Sequence, residues 1–362
     1  MTGPMDLQER VSFSLRALYD RRGYSRYKMN KFEEYDLYAR NRDFLGDHGA
    51  ITFLDTNGRL MALKPDVTLS IVKNSRDDGT LRKLYYNENV YRVSKNTGTF
   101  RELPQMGLEC LGPIDDYCIC EVLSLAVASL RTISPDCVLD ISHLGLLSGL
   151  VDAIGIPAGR KEELLKLIGG KNLHEMAALC RDCGIPDDAA GILKAAVSLS
   201  GPPEAVLPRL RALLEGFVDT APLDRLMDIT SALEDTAALR FDLSTVGDIR
   251  YYNGIVFKGF LRGLPGSILS GGQYDRLMEN MGRRGGAIGF AIYMDALAPL
   301  EQQPDAYDVD TVLLYAEDTP LSVIQKAVRK LNREGRSVLA QRKKPEGIRC
   351  RQIISLGGDQ PC

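Results

Sequence analysis

The chain has 362 residues, 44% hydrophobic and 26% charged, enough to bury a sizeable core and to divide into two or three domains. A formal charge of -3 with no long Lys/Arg block excludes the strong positive field of a sequence-independent nucleic-acid binder and argues against tRNA binding. No apolar run approaches the ~20 residues that span a bilayer, so no membrane association is expected.

The opening segment, residues 1–24, is charged and amphipathic rather than signal-like, and eight scattered Cys point to free thiols in a reducing cytoplasm. Cys118-x-Cys120 and Cys180-x2-Cys183 lack a second pair or a His at zinc-finger spacing, so no metal is expected. Apolar residues from Leu7 to Tyr19 recur at helical intervals, and Gly23 follows as a stop signal. Residues 50–65 read as a hairpin turning at Thr56-Asn57-Gly58. A longer strand pair follows, KLYYNENVYRV and FRELPQMGLECLG, joined by the polar loop Ser94–Thr99. Cys120–Thr132 reads as a helix and CVLDISH as another strand.

Residues 157–239 change character to Ala/Leu-rich helical segments punctuated by Gly and Pro, which reads as a helical insertion between two halves of a sheet domain. Strand patterns resume with LRFDLS, YYNGIVFKGF and SILSGGQYD, and Ala287–Leu300 is expected to be a strand running into a helix. Strands in runs with helices set apart indicate an α+β class built on an antiparallel sheet flanked by helices. The core is expected over 1–302. After a linker-like stretch, residues 305–362 give a short β-α-β-β segment, thin for an independent core.

No P-loop, zincin, nucleophile-elbow or dinucleotide fingerprint occurs in a usable context, and His48, His143 and His174 are isolated, satisfied or solvated histidines. The informative feature is polarity on strands. Gln105, Gly107 and Glu109 share one face of a strand while Met106, Leu108 and Cys110 share the other. An amide and a carboxylate so placed could hold a ring nitrogen and an ammonium; a solvated sheet face reads the same way. Tyr251, Tyr252 and Tyr274 flank glycines that permit close backbone approach.

FRELPQMGLECLG resembles the second signature motif of histidyl-tRNA synthetases. YYNGIVF resembles that family's first histidine-binding signature, SGGQYDRL with AIGFAIYMDAL its second plus the third class II motif, and LKPDVTLSIVKN the segment carrying its amine-facing acid. The resemblance spans about residues 7–300 and implies a class II aminoacyl-tRNA-synthetase-like fold. It further implies a histidine-binding set of Asp66, Thr68, Gln105, Glu109, Tyr251, Tyr252 and Tyr274. Arg92 and Arg101 become candidate anion or phosphate positions, and residues 7–32 the interface of a homodimer, with Asn30 where the family usually has Pro.

Departures from the family are concentrated where nucleotide chemistry needs cations. The catalytic Arg position is Gly247, the third-motif Arg position is Ala296, and the acid following Arg92 is replaced by Ser94. Residues 305–362 are shorter than the family's anticodon-binding domain, and RKKPEGIRCR is a modest basic cluster that reads as solvated surface. A kept amino-acid pocket with lost cations resembles the family of ATP phosphoribosyltransferase regulatory subunits. That resemblance implies a noncatalytic subunit without cofactor that binds L-histidine and assembles with a short-form ATP phosphoribosyltransferase catalytic subunit in the first step of histidine biosynthesis. Two readings stay open beside it: a divergent active histidyl-tRNA synthetase drawing its cations from Arg250 or Arg101, and an adaptor that binds something else.

Overall fold

The computed structural model describes residues 5–45, 49–94, 97–246, 251–300, 307–344 and 346–356. His48, Gly247 and Arg250, singled out above, lie outside the described residues. The chain divides into two compact units, Leu7–Ala298 and Pro299–Cys362 together with Met1–Asp6.

In the larger unit, α1 (Leu7–Arg21) buries Val11, Leu15 and Tyr19, the stripe expected from its spacing, and ends before Gly23, whose φ of 78° is left-handed. After β1 (Ser25–Arg26), β2 (Phe32–Glu34) and α2 (Tyr35–Arg40), the hairpin of β3 (Thr52–Leu54) and β4 (Leu60–Leu63) turns at Gly58. Then come α3 (Thr68–Asn74), β5 (Arg82–Val93) and β6 (Phe100–Gly112), the last two forming the long antiparallel pair read from the sequence. Helix α4 (Asp116–Ile133) begins before Cys120 because the Asp115 carboxylate accepts from the Cys118 N–H and caps it. β7 (Cys137–His143) and α5 (Leu144–Ala153) follow.

The insertion is helical as expected: α6 (Lys161–Gly169), α7 (Leu173–Asp182), α8 (Asp187–Ser198), α9 (Pro203–Leu214) and α10 (Ala221–Ser231). One element in it was not anticipated, the two-residue β8 (Ser200–Gly201), which pairs with β9 (Leu239–Asp242). The unit closes with β10 (Ile255–Leu261), β11 (Ser267–Gln273), α11 (Asp275–Asn280) and β12 (Gly286–Tyr293). Two expectations need correction. The strand expected from Tyr251 starts at Ile255, and the segment after β12 is a 3-10 helix, Met294–Leu300, with Pro299 inside it.

Among the described residues the main sheet has the order β1-β5-β6-β12-β11-β10-β7-β9-β8, antiparallel except for the β1·β5 and β7·β9 pairs. Tyr19 of α1 meets Tyr85 and Phe290 at ring separations of 5.9 and 6.3 Å. Tyr85, Leu108 and Phe290 lie in one cross-strand row, so that face belongs to the core under α1 and α4. The alternate row, Tyr86, Gly107 and Ala291, faces the other way. The covered face is mainly apolar, with Lys83 paired to Glu121 of α4 at 2.6 Å; Gln105 and Glu109 lie on the opposite face.

In the smaller unit, β13 (Val309–Tyr315), α12 (Leu321–Arg333), β14 (Val338–Gln341) and β15 (Cys350–Leu356) form a parallel sheet of order β14-β13-β15. Arg342, Arg349 and Arg351 of the basic cluster pair with Glu317, Asp308 and Asp310 at 3.2, 3.0 and 3.7 Å, which fits the solvated-surface reading.

The seven described cysteines are all free thiols. Among the described residues no helix is long and apolar enough to cross a membrane, and no cluster of three or more metal-ligating side chains occurs.

Candidate functional site

The segment between β4 and α3 is tied to β5 by main chain and side chain together. The Tyr91 N–H donates to the Lys64 carbonyl at 2.8 Å, and Arg92 Nε donates to the Pro65 carbonyl at 3.0 Å. Lys64 itself is 1% exposed, with Nζ on the carboxylate of Glu88. Breaking a buried pair on one side strands the other charge, so Lys64→Ala is expected to lower stability by about 3 kcal/mol in urea unfolding, and Lys64→Met paired with Glu88→Leu by much less.

This anchoring brings Asp66 and Thr68 over the polar face of β6. Asp66 Oδ1 accepts from the Leu69 N–H at 2.9 Å and so caps the first turn of α3. Thr68 Oγ1 donates to Glu109 Oε1 at 2.6 Å, and the Tyr274 hydroxyl donates to Glu109 Oε2. Glu109 and Gln105 are both buried, at 2% and 5% exposure; the solvated-face alternative is thereby excluded.

Tyr251 and Tyr252 fold over this floor because Asn253 is held in place. Its side-chain oxygen accepts from the Asp275 N–H at 2.9 Å, and its N–H donates to the Gln273 carbonyl at 3.1 Å. The Tyr251 ring lies 4.7 Å from Tyr252, 5.6 Å from Tyr274 and 5.9 Å from Phe44. Six residues of the expected set, Asp66, Thr68, Glu109, Tyr251, Tyr252 and Tyr274, therefore converge on one place, while Gln105 lies on the same strand face four residues before Glu109. Tyr86, Phe44, Tyr293 and Gly289 join it without having been foreseen. Tyr86 shares the Gly107 row across the β5·β6 pair, a relation that only the register supplies.

Glycines hollow the floor. Glu109 sits opposite Gly289, and Gly289 opposite Gly272. A Cβ on Gly289 would lie 1.8 Å from Glu109 Oε2, and one on Gly107 would lie 2.6 Å from the Tyr86 hydroxyl. Gly289→Ala should displace the carboxylate, lowering stability by roughly 1–3 kcal/mol in a thermal melt and weakening ligand binding in the same preparation.

Electrostatically the site is acidic and buried. Burial raises the Glu109 carboxyl to about 8, the Asp66 charge adding to it and the Thr68 and Tyr274 hydrogen bonds opposing it. Burial raises Asp66 as well, against the Leu69 N–H and Arg92. Tyr86, Tyr251 and Tyr274 are pushed far up, first by burial and then by these carboxylates. Two carboxyls that burial makes reluctant to ionise, set among tyrosines, can accept charge-assisted hydrogen bonds from a cation or N–H donor, which favour the charged form.

Of the remaining expected positions, Arg92 donates from Nε to the Pro65 carbonyl, and its charge opposes the upward shift of Asp66. Arg101, 59% exposed, lies 3.9 Å from Asp295, and the neighbouring third-motif position is Ala296, without charge. His143 Nδ1 accepts from the Leu146 N–H and caps α5, burial lowering it to about 4; His174 is exposed.

Comparison with known proteins bears on the same residues. A family model described as histidyl-tRNA synthetase matches residues 4–297. A protein of Oceanobacillus iheyensis named ATP phosphoribosyltransferase regulatory subunit is 25% identical over 329 residues, 88% of this chain and 80% of that protein. A solved structure from Bacillus halodurans C, named ATP phosphoribosyltransferase regulatory subunit/histidyl-tRNA synthetase, superposes with a TM-score of 0.80 at 23% identity, covering 96% of this chain and 93% of that one. A chain of an ATP phosphoribosyl transferase complex from Thermotoga maritima superposes with a TM-score of 0.62 at 22% identity, over 78% of this chain and 96% of that one. At those identities the two structures establish a shared fold.

Proposed function

Because the chain belongs to the histidyl-tRNA synthetase family, we propose that it has kept that family's amino-acid pocket as a histidine sensor and acts as a noncatalytic regulatory subunit of a short-form ATP phosphoribosyltransferase. The observation that carries this reading is the Asp66–Thr68–Glu109–Tyr274 constellation, kept while Ala296 stands at the third-motif Arg position. The acidic cluster lined by tyrosines suits an imidazole and an ammonium, and the relative from Oceanobacillus iheyensis carries the regulatory-subunit name.

Histidine acts on a partner only by binding two states of the complex unequally. Residues 7–32 supply a homodimer contact in this reading, and 305–362 correspond to part of an anticodon-binding domain. The chain works in the cytoplasm, where ATP and phosphoribosyl pyrophosphate are available to the catalytic subunit.

The experiment mixes this chain with a short-form catalytic subunit and follows condensation of ATP with phosphoribosyl pyrophosphate. Activity is expected only with both chains present, and histidine is expected to suppress it in wild type more than in Glu109→Gln. A catalytic subunit equally active without this chain would contradict the proposal. Robust histidine-dependent ATP–pyrophosphate exchange by this chain alone would favour the synthetase reading instead.

A further inference from the structure

A second cavity, of about 160 Å3, opens where the loop after α3, the start of β5, the end of β6 and the loop between α11 and β12 meet. It contains none of the histidine-pocket residues. Arg76, Arg82, Arg283 and Arg284 line it. Of the nearby carboxylates, Asp77 accepts from the Arg284 N–H at 3.3 Å and lies 3.9 Å from its Nε, while Asp78 accepts from Arg82 Nη2 at 2.5 Å. Four guanidiniums against two carboxylates leave a local charge of +2 (4 − 2).

One donor is left over. Arg82 Nε is buried and, among the described residues, has no acceptor, a state native proteins seldom tolerate without a bound group. The walls are built for close approach. Gly112 and Gly285 hold φ of 118° and 86°, and a Cβ at either would come within 2.7 Å of Thr80 O or 2.5 Å of Gly112 O. Arg283 is fixed by donating from Nη2 to the Lys73 carbonyl at 2.6 Å.

We propose that this cavity binds a phosphate group, free or carried as a monoester on a small sugar. A phosphate monoester brings about -1.5 to -2 charge at neutral pH and three acceptor oxygens, which matches the +2 surplus and the forked donors of arginine. A cavity of ~150 Å3 holds a benzene ring elsewhere, so one tetrahedral group fits inside while a sugar would remain at the mouth. The site is independent of the histidine pocket and of the function proposed for it.

Calorimetric titration of the full chain with inorganic phosphate and, separately, with ribose 5-phosphate, at ionic strength held constant with sodium chloride, tests this. Saturable one-site binding of either probe is expected. Preference for inorganic phosphate would identify the free anion as the natural source, and preference for ribose 5-phosphate the ester. Arg82→Gln and Arg284→Gln should each weaken it at least tenfold. Arg284, 90% exposed, serves as the second variant if the Arg82 change impairs folding, with a cooperative melt establishing that each protein is folded. Heats no larger than the chloride blank for both probes, or folded variants that titrate like wild type, would overturn the assignment.

Discussion

Glu109→Gln is expected to stabilise the empty chain at pH 8 to 9 while weakening histidine binding by roughly ten- to a hundredfold. The two effects share one cause. The wild-type carboxyl is shifted by burial from 4.5 to about 8, so between those values the folded chain holds a proton that the unfolded chain has released. Stability from this group is therefore fully present below about pH 4.5 and is lost as pH rises through about 8. At about 1.4 kcal/mol per tenfold change in the ionisation constant, the span corresponds to at most roughly 5 kcal/mol.

Glutamine cannot ionise, so the variant should lack that part of the decline, as urea midpoints at pH 5, 7 and 9 will read. It also cannot offer a ligand N–H a charged acceptor, and hydrogen bonds to charged groups are worth ~1.5–3 kcal/mol. Because the ligand binds the ionised carboxylate, histidine affinity in wild type should rise with pH up to about 8, and more steeply than in the variant. Parallel stability profiles for the two proteins would show that Glu109 is not the group responsible.

The second large effect is a loss. Histidine-dependent ATP–pyrophosphate exchange by the isolated chain is expected at background, on the order of 10⁴-fold or more below an active synthetase, since each missing oxyanion-type donor costs ~10²–10³. Gly247 and Ala296 supply no cation at the two positions where the resemblance places one, and Arg101 sits exposed, 3.9 Å from Asp295. If Arg101 or Arg250 had taken over, exchange would be measurable and would fall when either was changed to Ala.

The legible and illegible parts of this molecule separate by range. Helix α1, the β3–β4 turn at Gly58 and the β5–β6 pair were readable because periodicity and turn chemistry are local. The alternation of Gln105, Gly107 and Glu109 announced two different faces, though burial was needed to show that neither is solvated. Tyr86 and Gly289 were not readable as pocket residues. Their roles come from cross-strand pairings, Tyr86 with Gly107 and Gly289 with Glu109, and the second joins positions 180 residues apart (289 − 109) that no local pattern connects.

The late start of β10 has the same origin. Tyr251 and Tyr252 alternate plausibly as a strand, but the Asn253–Asp275 hydrogen bond bends the chain over the pocket. The arginine-lined cavity was invisible for a similar reason: Arg76, Arg82, Arg283 and Arg284 come from two distant stretches brought together only by the fold.

The most direct measurement is a calorimetric titration of the isolated chain with L-histidine at pH 8. One saturable site, sharply weakened in Glu109→Gln and unaffected by ATP, is the predicted result. No heat beyond dilution at millimolar histidine would mean that the acidic cluster lined by tyrosines receives something else.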